Sequence, residues 1–261
     1  MYVDSHCHLE MESFDKDRDA VIQKSMQEGL QYMLTVGTEE SYFDKVIGII
    51  DKYPAVYGAM GIHPHNGAEF NQAVADKIRL FAKHRKIVGY GEVGLDFFKN
   101  YSPKDVQIRA FREQLELAQE VSMPIIVHSR NAREETLAIL KDTYQGARGG
   151  VIHCYSYDLD YAKKFLDMGF YISIPGTITY KNNEELLKVV EYIPGDRILA
   201  ETDAPFLTPH PHRGKRNVPH FVKFTIERMA AIRGKDREEL ASAINDNFVK
   251  LFLEKTNGST P

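Results

Sequence analysis

Short apolar runs recur eight times along the chain, each separated from the next by a longer stretch. This alternation constrains the fold more than any single motif. The runs are Tyr2–His6, Gln31–Val36, Val56–Ile62, Ile87–Val93, Pro124–His128, Gly150–His153, Phe170–Ile174 and Ile198–Thr202. They are β-branched or bounded by glycine, as buried strands are. Segments of helical periodicity lie between them. After Pro103, the residues Ile108, Phe111, Leu115 and Ala118 recur at intervals of three and four. Near the end, Leu240, Ile244, Phe248 and Leu251 share one face behind a capping-box pair, Asp236 and Glu239. Strands and helices in strict alternation form parallel βαβ units. The 261 residues match the roughly 250 of a (β/α)8 TIM barrel, the α/β fold class expected here. An open doubly wound sheet is the alternative, but no G-x-G-x-x-G follows the first run. No linker or repeat interrupts the pattern, so one domain is expected over residues 1–255, with a polar tail at 256–261.

An apolar content of 43% supports a sizeable core, and a net charge of −4 supplies no whole-protein basic field of the kind many nucleic-acid binders carry. An anionic substrate would have to be held locally. The two cysteines, Cys7 and Cys154, each lie beside a histidine on non-neighbouring strands. They are expected to be reduced, buried and small, which fits the cytoplasm. No leader pattern opens the chain, and no apolar run approaches the roughly 20 residues of a membrane span. A cytoplasmic chain with no membrane partner and no obligate protein partner is expected, as a monomer or weak oligomer.

In such a barrel, chemistry gathers where the strand C-termini converge. Strand 1 ends in "HCH", placing His6 and His8 on one face with Cys7 turned away. Strand 4 delivers Glu92, strand 5 His128, strand 6 His153 and strand 8 Asp203, while His63 and His65 follow strand 3. A single histidine at a strand end is ordinarily a hydrogen-bonded core or loop residue. Here six of the ten histidines fall at or just past four strand ends. Four imidazoles, a Glu and an Asp exceed the shell of one tetrahedral ion and suit two divalent cations sharing a carboxylate. Glu92 is the natural bridge, joining His6, His8 and Asp203 on one side to His128 and His153 on the other. Nitrogen and oxygen donors fit Zn, Mn, Ni or Mg alike.

The motifs "DSHCHL", "GIHPH", "GEVGLDFF", "FREQLELA", "PIIVHSRNA", "VIHCYS", "ETDAPFL", "RGKRNVP" and "NFVKLF", in this order, resemble the TatD family of metal-dependent deoxyribonucleases, within the wider amidohydrolase-like barrels. The resemblance spans nearly the whole chain. It implies a (β/α)8 metallohydrolase with 3′–5′ exonuclease character, and its ligand positions match His6, His8, Glu92, His128, His153 and Asp203. The chain departs at Val218, where the family often has Glu before Pro, a change bearing on loop packing or substrate preference. The resulting expectation is a hydrolase that cleaves phosphodiesters of DNA, single-stranded or at 3′ ends, by a metal-activated water with Asp203 as base. Glu201 is expected behind a ligand, orienting it. Arg130, Arg213 and Asn217, with Lys215 and Arg216 nearby, are candidates for gripping phosphates. His63 and His65 are candidates for contacting substrate, and Tyr155 for stacking on a base. The alternative is an amidohydrolase-type enzyme acting on a small amide, lactone or phosphotriester, which needs no phosphate grip.

Overall fold

The computed structural model describes residues 1–146, 149–181 and 183–254; the tail expected at 256–261 lies outside the described residues. Its strands are β1 (Tyr2–Cys7), β2 (Leu30–Gly37), β3 (Val56–Met60), β4 (Ile87–Asp96), β5 (Ile125–Arg130), β6 (Gly150–Ile152), β7 (Tyr171–Ile174) and β8 (Ile198–Ala200). All eight expected runs are strands. They lie side by side in sequence order, and each adjacent pair is parallel. Cys7 then forms a parallel bridge with Ala204, and the Asp203 amide donates to the His6 carbonyl at 2.9 Å. The last strand thereby returns to the first. This is a (β/α)8 barrel, not an open sheet.

The helices are α1 (Arg18–Gln27), α2 (Glu40–Lys52), α3 (Gln72–Phe81), α4 (Lys104–Glu120), α5 (Arg133–Thr143), α6 (Leu159–Asp167), α7 (Glu184–Tyr192), α8 (Val222–Arg233) and α9 (Arg237–Phe248). Helix α4 starts after Pro103, whose missing amide is no loss at a helix start, and carries Asp105 in its first turn. It buries Phe111, Leu115 and Ala118, the face expected from their spacing. At α9 the Asp236 carboxylate accepts from the amides of Glu238 and Glu239, while Glu239 itself takes Lys235. Val3, Met33, Val56, Ile126 and Ile198 from the strands and Phe43, Phe111, Phe165 and Ile244 from the helices belong to one continuous core. Among the described residues, no helix is long and apolar enough to cross a membrane.

Two details position polar groups at opposite ends. On β4, Gly91 and Gly94 have φ of 145° and 143° and flank Glu92. A Cβ would lie 2.6 Å from the Ile126 carbonyl oxygen at Gly91 and 1.9 Å from that of His128 at Gly94. Only glycine allows β5 so close, and the register against β5 slips between Gly91 and Val93. Such an irregularity re-aims a side chain, here Glu92. At the barrel floor, the buried Lys86 ammonium donates to the carbonyls of Ile50 and Tyr53 at the end of α2. A cation there satisfies the helix C-terminus.

Candidate functional site

The six residues expected as ligands converge at the C-terminal mouth. The imidazoles of His6 and His8 face each other through Nε2 atoms 3.3 Å apart, as the i, i+2 spacing on a strand requires. His6 Nε2 lies 3.4 Å from Glu92 Oε2, and His8 Nε2 lies 3.3 Å from Asp203 Oδ1. The other carboxylate oxygen of Glu92, Oε1, meets His128 Nδ1 at 2.6 Å and His153 Nε2 at 2.9 Å. Glu92 therefore presents one oxygen to each half of the cluster. Asp203 reaches it through a left-handed backbone (φ 56°), a conformation Asp and Asn tolerate.

Behind the cluster stands a ring of acids. Glu201, fully buried, accepts at Oε1 from the Cys154 amide at 2.8 Å and lies 3.1 Å from His153 Nδ1. Glu10 lies 3.2 Å from His8 Nδ1 and accepts from Thr35 at 2.6 Å. Asp96 lies 3.2 Å from His128 Nε2 and 2.9 Å from His65 Nε2. Neither Glu10 nor Asp96 is singled out by the sequence, although a signal exists. Asp96 is four past Glu92 on the same strand, a spacing that shares one face, whereas Glu10 sits in the turn after β1, two residues past His8.

Do these residues suit a cation? Three sets of donor atoms lie within 4.8 Å of one another: His6, His8 and Asp203; His6, His153 and Glu201; and His63, Glu92 and His128. Buried His6 Nδ1 and Glu201 Oε2 have no hydrogen-bond partner. Burial, reinforced by neighbouring His153, lowers the His6 imidazole to about 3, and burial lowers His63 to about 4. Both rings keep the neutral, lone-pair form that ligation needs. Burial pushes the Glu92 carboxyl up, yet His153, His63 and the hydrogen bonds with His128 and His153 hold it well below the usual carboxylate range. Burial also pulls His8, His128 and His153 down, but the carboxylates of Asp203 and Glu10, of Asp96 and Glu92, and of Glu92 and Glu201, respectively, outweigh it and raise them. A divalent cation bound there would take the place of those protons.

The cluster opens into a cavity of about 700 Å³ lined by His8, His63, His65, Asp96, Lys99, Arg130, Cys154 and Phe206 among others. Here several expectations change. Tyr155 is buried, its hydroxyl donating to the Asp158 carbonyl, so it has no face for a base. Asn217 is 0% exposed, and its amide nitrogen donates to the carbonyls of Thr202 and Phe206 at 2.8 and 2.6 Å. It holds the β8 loop in shape rather than meeting substrate. Arg216 is engaged by Asp17 through two bonds, at 3.0 and 2.6 Å. Cys154, expected to be buried, is partly exposed and lines the cavity, at a point where the chain turns left-handed (φ 48°). Cys7 is buried with Sγ against the Leu34 carbonyl, away from the cluster. Arg130 lines the cavity and packs on Phe98 at 4.1 Å, while Arg213 packs on Tyr180 at 4.1 Å.

A (β/α)8 barrel with clustered histidines and acids at its mouth defines a class, the metal-dependent hydrolases. A family model for TatD related DNase matches residues 3–253. The chain is 39% identical over 252 residues to the metal-dependent hydrolase YabD of Bacillus subtilis, covering 97% of this chain and 99% of that one. It is 34% identical over 251 residues to the 3′-5′ ssDNA/RNA exonuclease TatD of Salmonella typhimurium, covering 94% and 96%. The crystal structure of the TatD homologue YjjV from Escherichia coli superposes with a TM-score of 0.91 at 29% identity, covering 97% and 98%. The chain belongs to the TatD family and is a metal-dependent hydrolase.

Proposed function

We propose that the protein hydrolyses phosphodiester bonds of single-stranded DNA, working from 3′ ends. His6, His8, Glu92 and Asp203 would hold one divalent cation and Glu92, His128 and His153 a second. When bound, such a pair lowers the pKa of water and neutralises charge on a phosphoryl group. The chain's own residues do the rest. Asp203, partly exposed at 14% with Oδ1 toward the histidines, accepts at Oδ2 the proton of the attacking water. Glu201 keeps the His153 ring oriented from behind, and Asp96 does so for His128. Arg130 and Arg213 have no carboxylate partner among the described residues; Arg130 lies over the Phe98 ring and Arg213 against Tyr180, leaving N–H groups for phosphate. His63 and His65 take the leaving-group side.

The observation that carries this reading is the placing of Glu92, with Oε2 toward His6 and Oε1 toward His128 and His153, beneath a cavity lined by Arg130 and Lys99. The Salmonella relative's name as a single-strand exonuclease supports it. Product analysis on 5′- and 3′-labelled single-stranded DNA, with Mg, Mn, Zn and Ni in turn, tests it. Stepwise shortening from the 3′ end is expected. Turnover of lactones or amides with none on oligonucleotides, or full activity after chelation and dialysis, overturns it.

A further inference from the structure

Large apolar side chains exposed at the mouth are few, and two lie on one loop. Phe98 is 54% and Tyr101 67% exposed, both between β4 and α4. A loose loop would collapse such rings onto the protein, but this one is held at several points. The Asp96 carboxylate accepts at Oδ1 from the amides of Phe98 and Lys99, both at 3.0 Å. The Phe97 amide donates to the Arg130 carbonyl, and the Ser102 hydroxyl to the His65 carbonyl. Gln107 on α4 donates to the Ser102 carbonyl at 2.8 Å. The exposure is built in.

Cations accompany the rings. The Arg130 guanidinium lies 4.1 Å from the Phe98 ring centre, and the Lys99 ammonium lies 5.7 Å from that ring and 6.0 Å from the Tyr101 ring. Neither cation has a carboxylate partner among the described residues, and both line the cavity over the metal cluster. Tyr101 also stands 4.7 Å from His65, whose Nε2 lies 2.9 Å from Asp96. One carboxylate thus links the candidate metal cluster to the loop that aims the rings. Aromatic faces alternating with unpaired cations match a strand whose bases alternate with phosphates.

We propose that Phe98 and Tyr101 form a base-stacking platform at the mouth, with Lys99 and Arg130 taking the phosphates of the nucleotides stacked there. This rests on the nuclease reading above and adds a subsite to it. Stacking is tolerant of base identity, so the platform favours single strands without selecting sequence. A duplex, whose bases already stack on each other, offers no free face to it.

The test removes the ring and the base in turn. Phe98→Ala is expected to cost about tenfold in kcat/KM on an oligothymidylate, mostly through KM. Phe98→Trp retains the wild-type value. Replacing the matching nucleotide with an abasic one should cost the wild-type enzyme the same factor and Phe98→Ala nothing more. Additive losses overturn the platform. Anisotropy of a labelled phosphorothioate oligothymidylate is read in parallel. Ring-dependent binding without any cleavage keeps the platform and overturns the nuclease reading. Cleavage with ring-independent KM and binding does the reverse, and neither cleavage nor binding overturns both. If Phe98→Ala instead splits an oligomer in sedimentation with KM unchanged, the rings serve a chain–chain contact and the platform falls.

Discussion

The two ends of the barrel treat buried polar groups in opposite ways. At the floor, Lys86 donates to the carbonyls closing α2, and Asn247 of α9 donates to the carbonyls of Gly195 and Ile198 at 2.9 and 2.8 Å. The side-chain donors there answer backbone carbonyls, and the result is structure. At the mouth, imidazoles and carboxylates face one another across a cavity, and buried His6 Nδ1 and Glu201 Oε2 stay unpartnered. Polar groups complete without a ligand stabilise a fold; groups that converge on an opening prepare chemistry. That division follows the barrel's general polarity, with function at the strand C-termini and stability at the other face.

The comparison can be broken most severely at Asp203. Asp203→Asn keeps the left-handed backbone (φ 56°) that Asn also accepts. It should lower hydrolysis by about 10²–10⁴-fold without lowering the melting temperature. Initial rates at saturating metal and a thermal melt check both halves, and a rate near wild type removes Asp203 as the base. Next comes Glu201→Gln, which keeps a hydrogen-bonding group behind His153 and removes the charge. The metal concentration for half-maximal activity should rise about 10–100-fold, read by metal titration. No change would mean that Glu201 does not tune the site.

At the floor the expected effects reverse. Lys86→Met removes the ammonium's bonds to the Ile50 and Tyr53 carbonyls, of which Tyr53 keeps the Val56 amide at 3.0 Å, and should cost about 1–3 kcal/mol in denaturant unfolding. The rate per folded molecule should stay unchanged, and a selective loss of rate would blur the division between the two ends. The last test concerns His220 in the wall, beside the Ser25 hydroxyl at 3.3 Å. Burial, with help from Lys24, lowers its pKa from 6.5 to about 4. Unfolded chain therefore takes up a proton between pH 6.5 and about 4 that folded protein refuses, so this residue makes stability fall across that window as pH falls. Below it the contribution is constant. His220→Gln should flatten that part of the stability curve relative to wild type, and identical slopes would rule the contribution out.

Much of the barrel and its candidate metal cluster is legible in the amino-acid order. The strands declare themselves because a parallel sheet buried on both faces needs unbroken β-branched runs. His6, His8, Glu92, His128, His153 and Asp203 stand out because strand ends in a barrel converge. Asp96 is legible in principle from its spacing to Glu92 on one strand, while Glu10, in the turn after β1, is not. Other assignments are not. Arg130 and Arg216 look alike in sequence, yet Arg216 is neutralised by Asp17, 199 residues away. Asn217 looks like a polar loop residue and is a buried brace.

Period and composition along the chain, which depend on neighbours a few residues apart, determined by themselves the alternation of strand and helix, the barrel class and the residue types at each strand end. Which polar groups are left over after folding was decided by the tertiary structure alone. Closure of β8 onto β1 places Asp203 beside His8, the glycines of β4 let Glu92 face both halves of the cluster, and the Asp96 turn keeps Phe98 in solvent. A side chain's availability depends on partners that only three-dimensional packing brings near.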